Sequence, residues 1–119
     1  MPPIFIPGNV PSSKNSKIWT GKFLVSSKAT KTWQKNTKDF WLLYKKEFTD
    51  NLKSKPHRVA FTFTRKSKHK FDYVNPLQTV QDEMVKHGWL DDDNADELLP
   101  ILLPYKYDKE NPGVEISLV

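Results

Sequence analysis

Three consecutive aspartates, Asp91-Asp92-Asp93, follow Gly88-Trp89-Leu90 and crowd three carboxylates into one turn. Like charges at that spacing repel and raise one another's pKa unless a cation neutralises them. A divalent metal is the cation such a turn suits; a merely solvated acidic loop is the plainer alternative. Asp72 lies just before the helix whose far end feeds the triplet, and Asp82 lies inside that helix. A helix from Pro76 to His87 is roughly 18 Å long at ~1.5 Å per residue, so its two ends cannot share one ion directly. Asp92 or Asp93 meets Asp72 only if the chain after Gly88 doubles back along the helix. Asp82 faces a different side from Leu77, Val80 and Met84 and reads as an exposed helical acid.

Other chemistries are poorly served. Cysteine is absent, which removes disulfides, thiol nucleophiles, iron–sulfur clusters and thiolate zinc sites. His57, His69 and His87 form no i,i+3 or i,i+4 pair, so neither a histidine metal site nor a Ser-His-Asp triad has support. The four glycines match no phosphate-cradling or dinucleotide spacing, and no nucleotide cofactor is expected.

The chain has 119 residues, enough for one domain, and its 15 aromatics (Trp 4, Tyr 4, Phe 7) supply a core despite 28% charged residues. The net charge of +5 conceals an asymmetry. Sixteen of the 19 basic residues lie in 1–70 beside only Asp39, Glu47 and Asp50, whereas residues 71–119 hold the other 11 of the 14 acids. A long basic half suggests a polyanion such as nucleic acid, and a compact acidic stretch suggests a cation site. No apolar run approaches the ~20 residues of a membrane span, and Pro2, Pro3, Pro7 and Gly8 break any signal-peptide pattern. A cytoplasmic protein with no membrane partner is therefore expected.

The elements that must position the acids can be read from periodicity and punctuation. Ile4 to Ile6 is a short strand ended by Pro7-Gly8, residues 10–17 form a polar turn, and Phe23 to Val25 is a second strand. Ser26 or Ser27 caps a helix from Lys28 to Leu52, in which Trp33, Phe40, Trp41, Tyr44 and Phe48 make one core-facing stripe. Arg58 to Thr64 alternates as a half-buried strand and leads into a basic loop, Arg65 to Lys70. Asn75 as N-cap, Pro76 at the first helical position and Gly88 as the stop delimit the second helix. Strands within Leu98–Tyr107 and Val114–Val119, joined by the 108–113 turn, close the chain. The order β-β-α-β-α-β-β specifies an α+β two-layer domain, a mixed β-sheet with both helices packed on one face.

The run Asp72-Tyr73-Val74-Asn75-Pro76-Leu77-Gln78, then Asp82, then Gly88 to Asn94, resembles the signature of the RusA family of Holliday junction resolvases. In that family an Asp-x-Asp-Asn-x-x-Lys segment opens a helix and a Gly-x-x-x-Asp-Asp segment follows it. Pro11-Ser12-Ser13-Lys14-Asn15 resembles the family's Pro-x-Ser-x-Asn loop, and the likeness runs in order along nearly the whole chain as a single domain, 1–119. It implies that Asp72, Asp92 and Asp93 are catalytic and hold Mg²⁺, with Mn²⁺ as a substitute, Asp93 being the central one. It also implies a homodimer on a four-way DNA junction, one active site at each symmetric cut. Lys14, Asn15, Lys17, Lys66, Lys68, Lys70 and Asn75 are the expected DNA contacts, and Lys22 and the long helix's lysines add to the basic surface.

Two positions depart from the pattern. Val74 stands at the second aspartate and Gln78 at the lysine. Either the site is rebuilt, with Lys68 or Lys70 replacing the missing positive charge, or activity is reduced or lost. The expectation is thus a metal-dependent endodeoxyribonuclease acting on Holliday junctions or related branched DNA. Its alternative is a catalytically impaired, structure-selective DNA-binding protein of the same fold.

Overall fold

The computed structural model describes residues 1–12, 17–19 and 24–119. Its elements, in chain order, are β1 (Ile4–Pro7), β2 (Lys17–Trp19), β3 (Leu24–Ser26), α1 (Lys28–Asp50), β4 (His57–Arg65), α2 (Val74–Lys86), β5 (Leu98–Leu102), β6 (Lys106–Tyr107) and β7 (Gly113–Leu118). The main sheet runs β1-β7-β4-β5, with β6 continuing the β5 side of β4. β7 is antiparallel to both β1 and β4, whereas β5 and β6 are parallel to β4, so the sheet is mixed as expected. β2 and β3 form a separate antiparallel pair. β2 replaces part of what reads in the sequence as a polar turn.

Ser27 caps α1, its hydroxyl accepting the Thr30 N–H at 3.2 Å. Trp33, Trp41 and Phe48 are buried and Phe40 and Tyr44 partly so, which is the expected stripe. Thr37 joins it because its hydroxyl solves a polar problem: it donates to the Trp33 carbonyl (2.8 Å) and accepts the Trp41 indole N–H (3.0 Å). Ile4 and Ile6 of β1, Val59, Phe61 and Phe63 of β4, and Val114 and Ile116 of β7 belong to one core with the α1 stripe and with Val80 and Met84 of α2. Both helices therefore lie on one face of the sheet.

Three expectations need correction. β4 is not half-buried: Ala60, Thr62 and Thr64 are buried as well, because β4 is the central strand, flanked by β7 on one side and β5 and β6 on the other. Arg65 is not a loop cation. It ends β4 buried, donates through Nη1 to the Val10 carbonyl at 2.5 Å and stacks over the Phe71 ring, so it ties the N-terminal segment to the sheet. Burial lowers its pKa, but a guanidinium stays charged. Finally, α2 begins at Val74 with Tyr73 as N-cap and no side-chain cap bond, so Asn75 and Pro76 fall in the first turn. Pro76 is tolerated there because N–H groups of the first turn have no intrahelical partner.

The last strand region divides into β5 and β6 around Leu103-Pro104-Tyr105. Phe61 pairs Leu102 and Thr64 pairs Lys106, so four steps on one strand oppose three on β4 and the extra residue bulges out. No helix among the described residues is long and apolar enough to cross a membrane.

Candidate functional site

The site is built by β4, α2 and β5, with the acidic loop joining α2 to β5. α2 stops at Gly88, whose φ of +77° is the left-handed value that ends a helix most readily in glycine. Trp89 then turns inward. Its indole donates to the Trp41 carbonyl at 2.9 Å, and its ring packs edge-on to Trp41 and stacked on Phe48, with centroids 5.0 and 4.8 Å away. The Trp89 and Leu90 N–H groups both donate to the Met84 carbonyl. Trp89 and Leu90 are buried, and beyond them the chain returns to α2, where Asp93 meets Gln78 and Gln81.

Asp93 is thereby brought against α2. Its Oδ2 accepts from Gln78 Nε2 at 3.3 Å and Gln81 Nε2 at 3.4 Å, and the same Gln78 nitrogen donates to Asp82 Oδ1 at 2.7 Å. One amide thus holds two carboxylates, from the helix and from the returning loop. Asp82 is half-buried and part of this group, which corrects its reading as an exposed helical acid. Gln81, buried, was not singled out in the sequence. The signal for both was the i,i+4 step from Gln78 to Asp82 together with the adjacent glutamine, but it has meaning only once the loop is known to return.

The other aspartates are held differently. Asp92 turns its carboxylate onto its own loop, accepting the Asp93 N–H at 2.7 Å and the Asn94 amide at 3.1 Å. These bonds, the backbone one foremost, hold its pKa below the ordinary carboxylate value. Asp91 is drawn away by Lys55, which bonds Asp91 and Glu97 at 3.0 Å each; Glu97 first and Asp91 second raise the lysine's pKa. Asp72 is exposed in the turn before α2, where its carbonyl accepts the Asn75 N–H at 3.2 Å. Asn75 is half-buried, its carbonyl accepting from the Thr79 hydroxyl.

Carboxylate oxygens are the donors that Mg²⁺ or Mn²⁺ prefers, so the residues fit such an ion in kind. Among the described residues, however, no three His, Cys, Asp or Glu side chains are grouped to hold a metal. Asp82 and Asp93 share the Gln78 amide, as Asp91 and Glu97 share Lys55. Val74, at the position of the family's second aspartate, is 70% exposed and lies one helical turn before Gln78 on the same stripe.

Of the expected DNA contacts, Lys14 and Asn15 lie outside the described residues, as does Lys22, and Lys17 opens β2. Lys66, Lys68 and Lys70 are exposed in the loop after β4; the Lys66 N–H is held by Asn9 Oδ1 at 3.0 Å, and Lys68 Nζ sits 5.1 Å above the Tyr107 ring. Among the described residues Asp93 Oδ2 bonds Gln78 and Gln81 rather than Lys68 or Lys70. Outside the site, buried Glu83 and half-buried His87 lie 3.0 Å apart at i,i+4, with His87 stacked on Trp41. Compared with known proteins, the chain matches no family model and no curated protein.

Proposed function

We propose that the protein is a metal-dependent endodeoxyribonuclease, similar to the RusA family, that cuts four-way junctions or related branched DNA as a homodimer. The observation that supports this reading most is the return of the acidic loop along α2, which sets Asp93 beside Gln78, Gln81 and Asp82. The sequence resemblance requires such a return for its paired aspartates to act with the start of the helix. The resemblance implies that Asp93, with Asp72 and Asp92, would hold a divalent cation to polarise a scissile phosphate and acidify an attacking water, although the described carboxylates are not gathered in threes. Gln78 and Gln81 orient Asp93. Exposed Lys66, Lys68 and Lys70, on the loop that leads into Asp72, supply phosphate contacts that favour DNA of any sequence.

A second reading, a DNA-binding protein without catalysis, is favoured by two positions. Gln78 supplies an amide where the resemblance calls for a lysine, and Val74 supplies no ligand. Cleavage of a labelled four-way junction in Mg²⁺ or Mn²⁺, beside a linear duplex, separates the two. Paired symmetric nicks are expected from the native protein. Asp93→Asn should lose cleavage by at least a hundredfold while binding the junction as tightly or more tightly, since a negative charge near phosphate is removed. Binding without cutting by the native protein would establish the second reading instead.

A further inference from the structure

Beyond the acidic loop, the far end of β4 carries a group of aromatic rings that reaches from the core, where Tyr73 lies against Phe63, out to the surface. Phe71 packs edge-on to Tyr73 and to Tyr105, with centroids 5.4 and 5.2 Å away, and Arg65 lies 4.8 Å from the centre of Phe71. Tyr107, at the end of β6, carries Lys68 at 5.1 Å. Tyr105 and Tyr107 remain 45% and 47% exposed.

The arrangement is rigid where it needs to be. The Tyr73 hydroxyl donates to the Leu103 carbonyl (3.3 Å) and accepts the Tyr105 N–H (3.0 Å), fixing the bulge from which the Tyr105 ring projects. The Asp108 N–H donates to the Arg65 carbonyl and closes the other side of β6. Lys68 stands over Tyr107, and Lys66 and Lys70 are exposed on the same loop; Lys106, level with Thr64 and near Glu115, faces the other side of the sheet. Of the acids near by, Asp72 is exposed between Phe71 and Tyr73, and Asp108 Oδ1 accepts the N–H groups of Glu110 and Asn111.

We propose that Tyr105 and Tyr107, with the surrounding lysines, form a stacking surface for unpaired nucleotides. Exposed rings bounded by cations match the two parts of a single strand, flat apolar bases and a phosphate chain, whereas a regular duplex hides its base faces. This site rests on the DNA partner of the proposed function but not on its metal chemistry. A duplex with a branch exposes unpaired or unstacked bases where a linear duplex does not, so the surface also gives a physical basis for preferring branched substrates.

The test is binding of a fluorescent dT12 oligonucleotide in EDTA, beside a blunt duplex of equal length. Tyr105→Ala and Tyr107→Ala should each weaken dT12 binding about tenfold, while the Phe substitutions stay within about twofold, because stacking needs the ring and not the phenol. Ring removal leaves the Tyr105 backbone N–H on Tyr73, and an unchanged thermal midpoint would show that the variants fold. Lys68→Met should lower the salt dependence, log affinity against log salt, by about 0.7, the value for one single-strand phosphate contact. Failure of the native protein to bind dT12, or equal binding by the Ala variants, overturns the proposal. Junction cleavage without dT12 binding removes this inference alone; ring-dependent dT12 binding without cleavage upholds it and removes the nuclease reading alone.

Discussion

At the scale of single residues, the candidate site turns on what stands at positions 74, 78 and 82, one stripe of α2. Gln78 donates one amide nitrogen to both Asp82 and Asp93, and Val74 precedes it by a turn. Val74→Asp would add a second carboxylate to that stripe, beside Asp82 and the Asp93 of the returning loop. The residue is largely exposed, so the loss of packing is small, and an acid in the first turn of a helix that has none there gains about 0.3–1 kcal/mol from the helix dipole. The variant should therefore fold at least as well and should bind Mn²⁺ several-fold more tightly in calorimetric titration, with faster junction cleavage. Unchanged metal affinity would separate the stripe from any metal. A second residue-scale outcome concerns Asp92, whose folded pKa is depressed by the Asp93 N–H and the Asn94 amide. A depressed carboxylate contributes stability above its unfolded pKa and loses it as pH falls through the lower folded value. The 92–94 loop should thus keep its form through the mildly acidic range and loosen only below the ordinary aspartate range; carboxyl NMR titration of Asp92 reads this directly, and Asp92→Asn removes the transition. The acids themselves were legible in the sequence as a triplet. Their sorting was not, because it depends on Trp89 docking against Trp41 and Phe48, on Lys55 claiming Asp91, and on Asp92 bonding its own loop.

At the scale of elements, two glycines separate conformational from steric demand. Gly88 needs its positive φ, and a Cβ there meets only the flexible end of Lys45, at 2.9 Å. Gly113 starts β7, and a Cβ there would meet the Phe5 ring at 2.4 Å and the Ile6 carbonyl at 2.5 Å. Gly88→Ala should therefore cost about 1–2 kcal/mol, the left-handed penalty. Gly113→Ala must move backbone or an aromatic ring and should cost more than that, about 3 kcal/mol as overpacking in a tight site does. Urea denaturation of both ranks them; the reverse order would mean that β1 yields easily to β7. The same distinction explains what the sequence disclosed about the fold. α1, α2, β1, β4 and β7 follow from local periodicity and punctuation, and each begins and ends within a few residues of its expected place. The burial of both faces of β4 was hidden, since alternating Ala60, Thr62 and Thr64 read as a solvent face until β5 and β6 add on beside β7. The division of β5 from β6 was signalled by Pro104, but its meaning came from the parallel register with β4.

At the scale of the whole molecule, charge is separated along the chain. On α1, Lys28, Lys31, Lys35 and Lys38 are exposed and form no ion pair among the described residues, while Thr30, Trp33, Thr37 and Trp41 fill the buried side. Their i,i+3 and i,i+4 spacing makes one stripe about 15 Å long, opposite the core. Such a stripe suits a duplex arm, where phosphates give affinity by releasing counterions and carry no sequence information. The loop lysines at 66, 68 and 70 provide a separate cationic surface beside the rings. These two surfaces can be told apart by salt. Replacing Lys31, Lys35 and Lys38 with Gln together leaves α1 propensity nearly unchanged. If all three contact phosphates, the slope of log junction affinity against log salt should fall by about 2.7, at ~0.9 per duplex contact. The dT12 affinity should move little, because that ligand belongs to the ring surface. An unchanged junction slope would assign the duplex arms to the loop after β4 and leave the α1 lysines as a solvated face. A loss of both slopes together would mean that one continuous track of positive charge serves paired and unpaired strands alike.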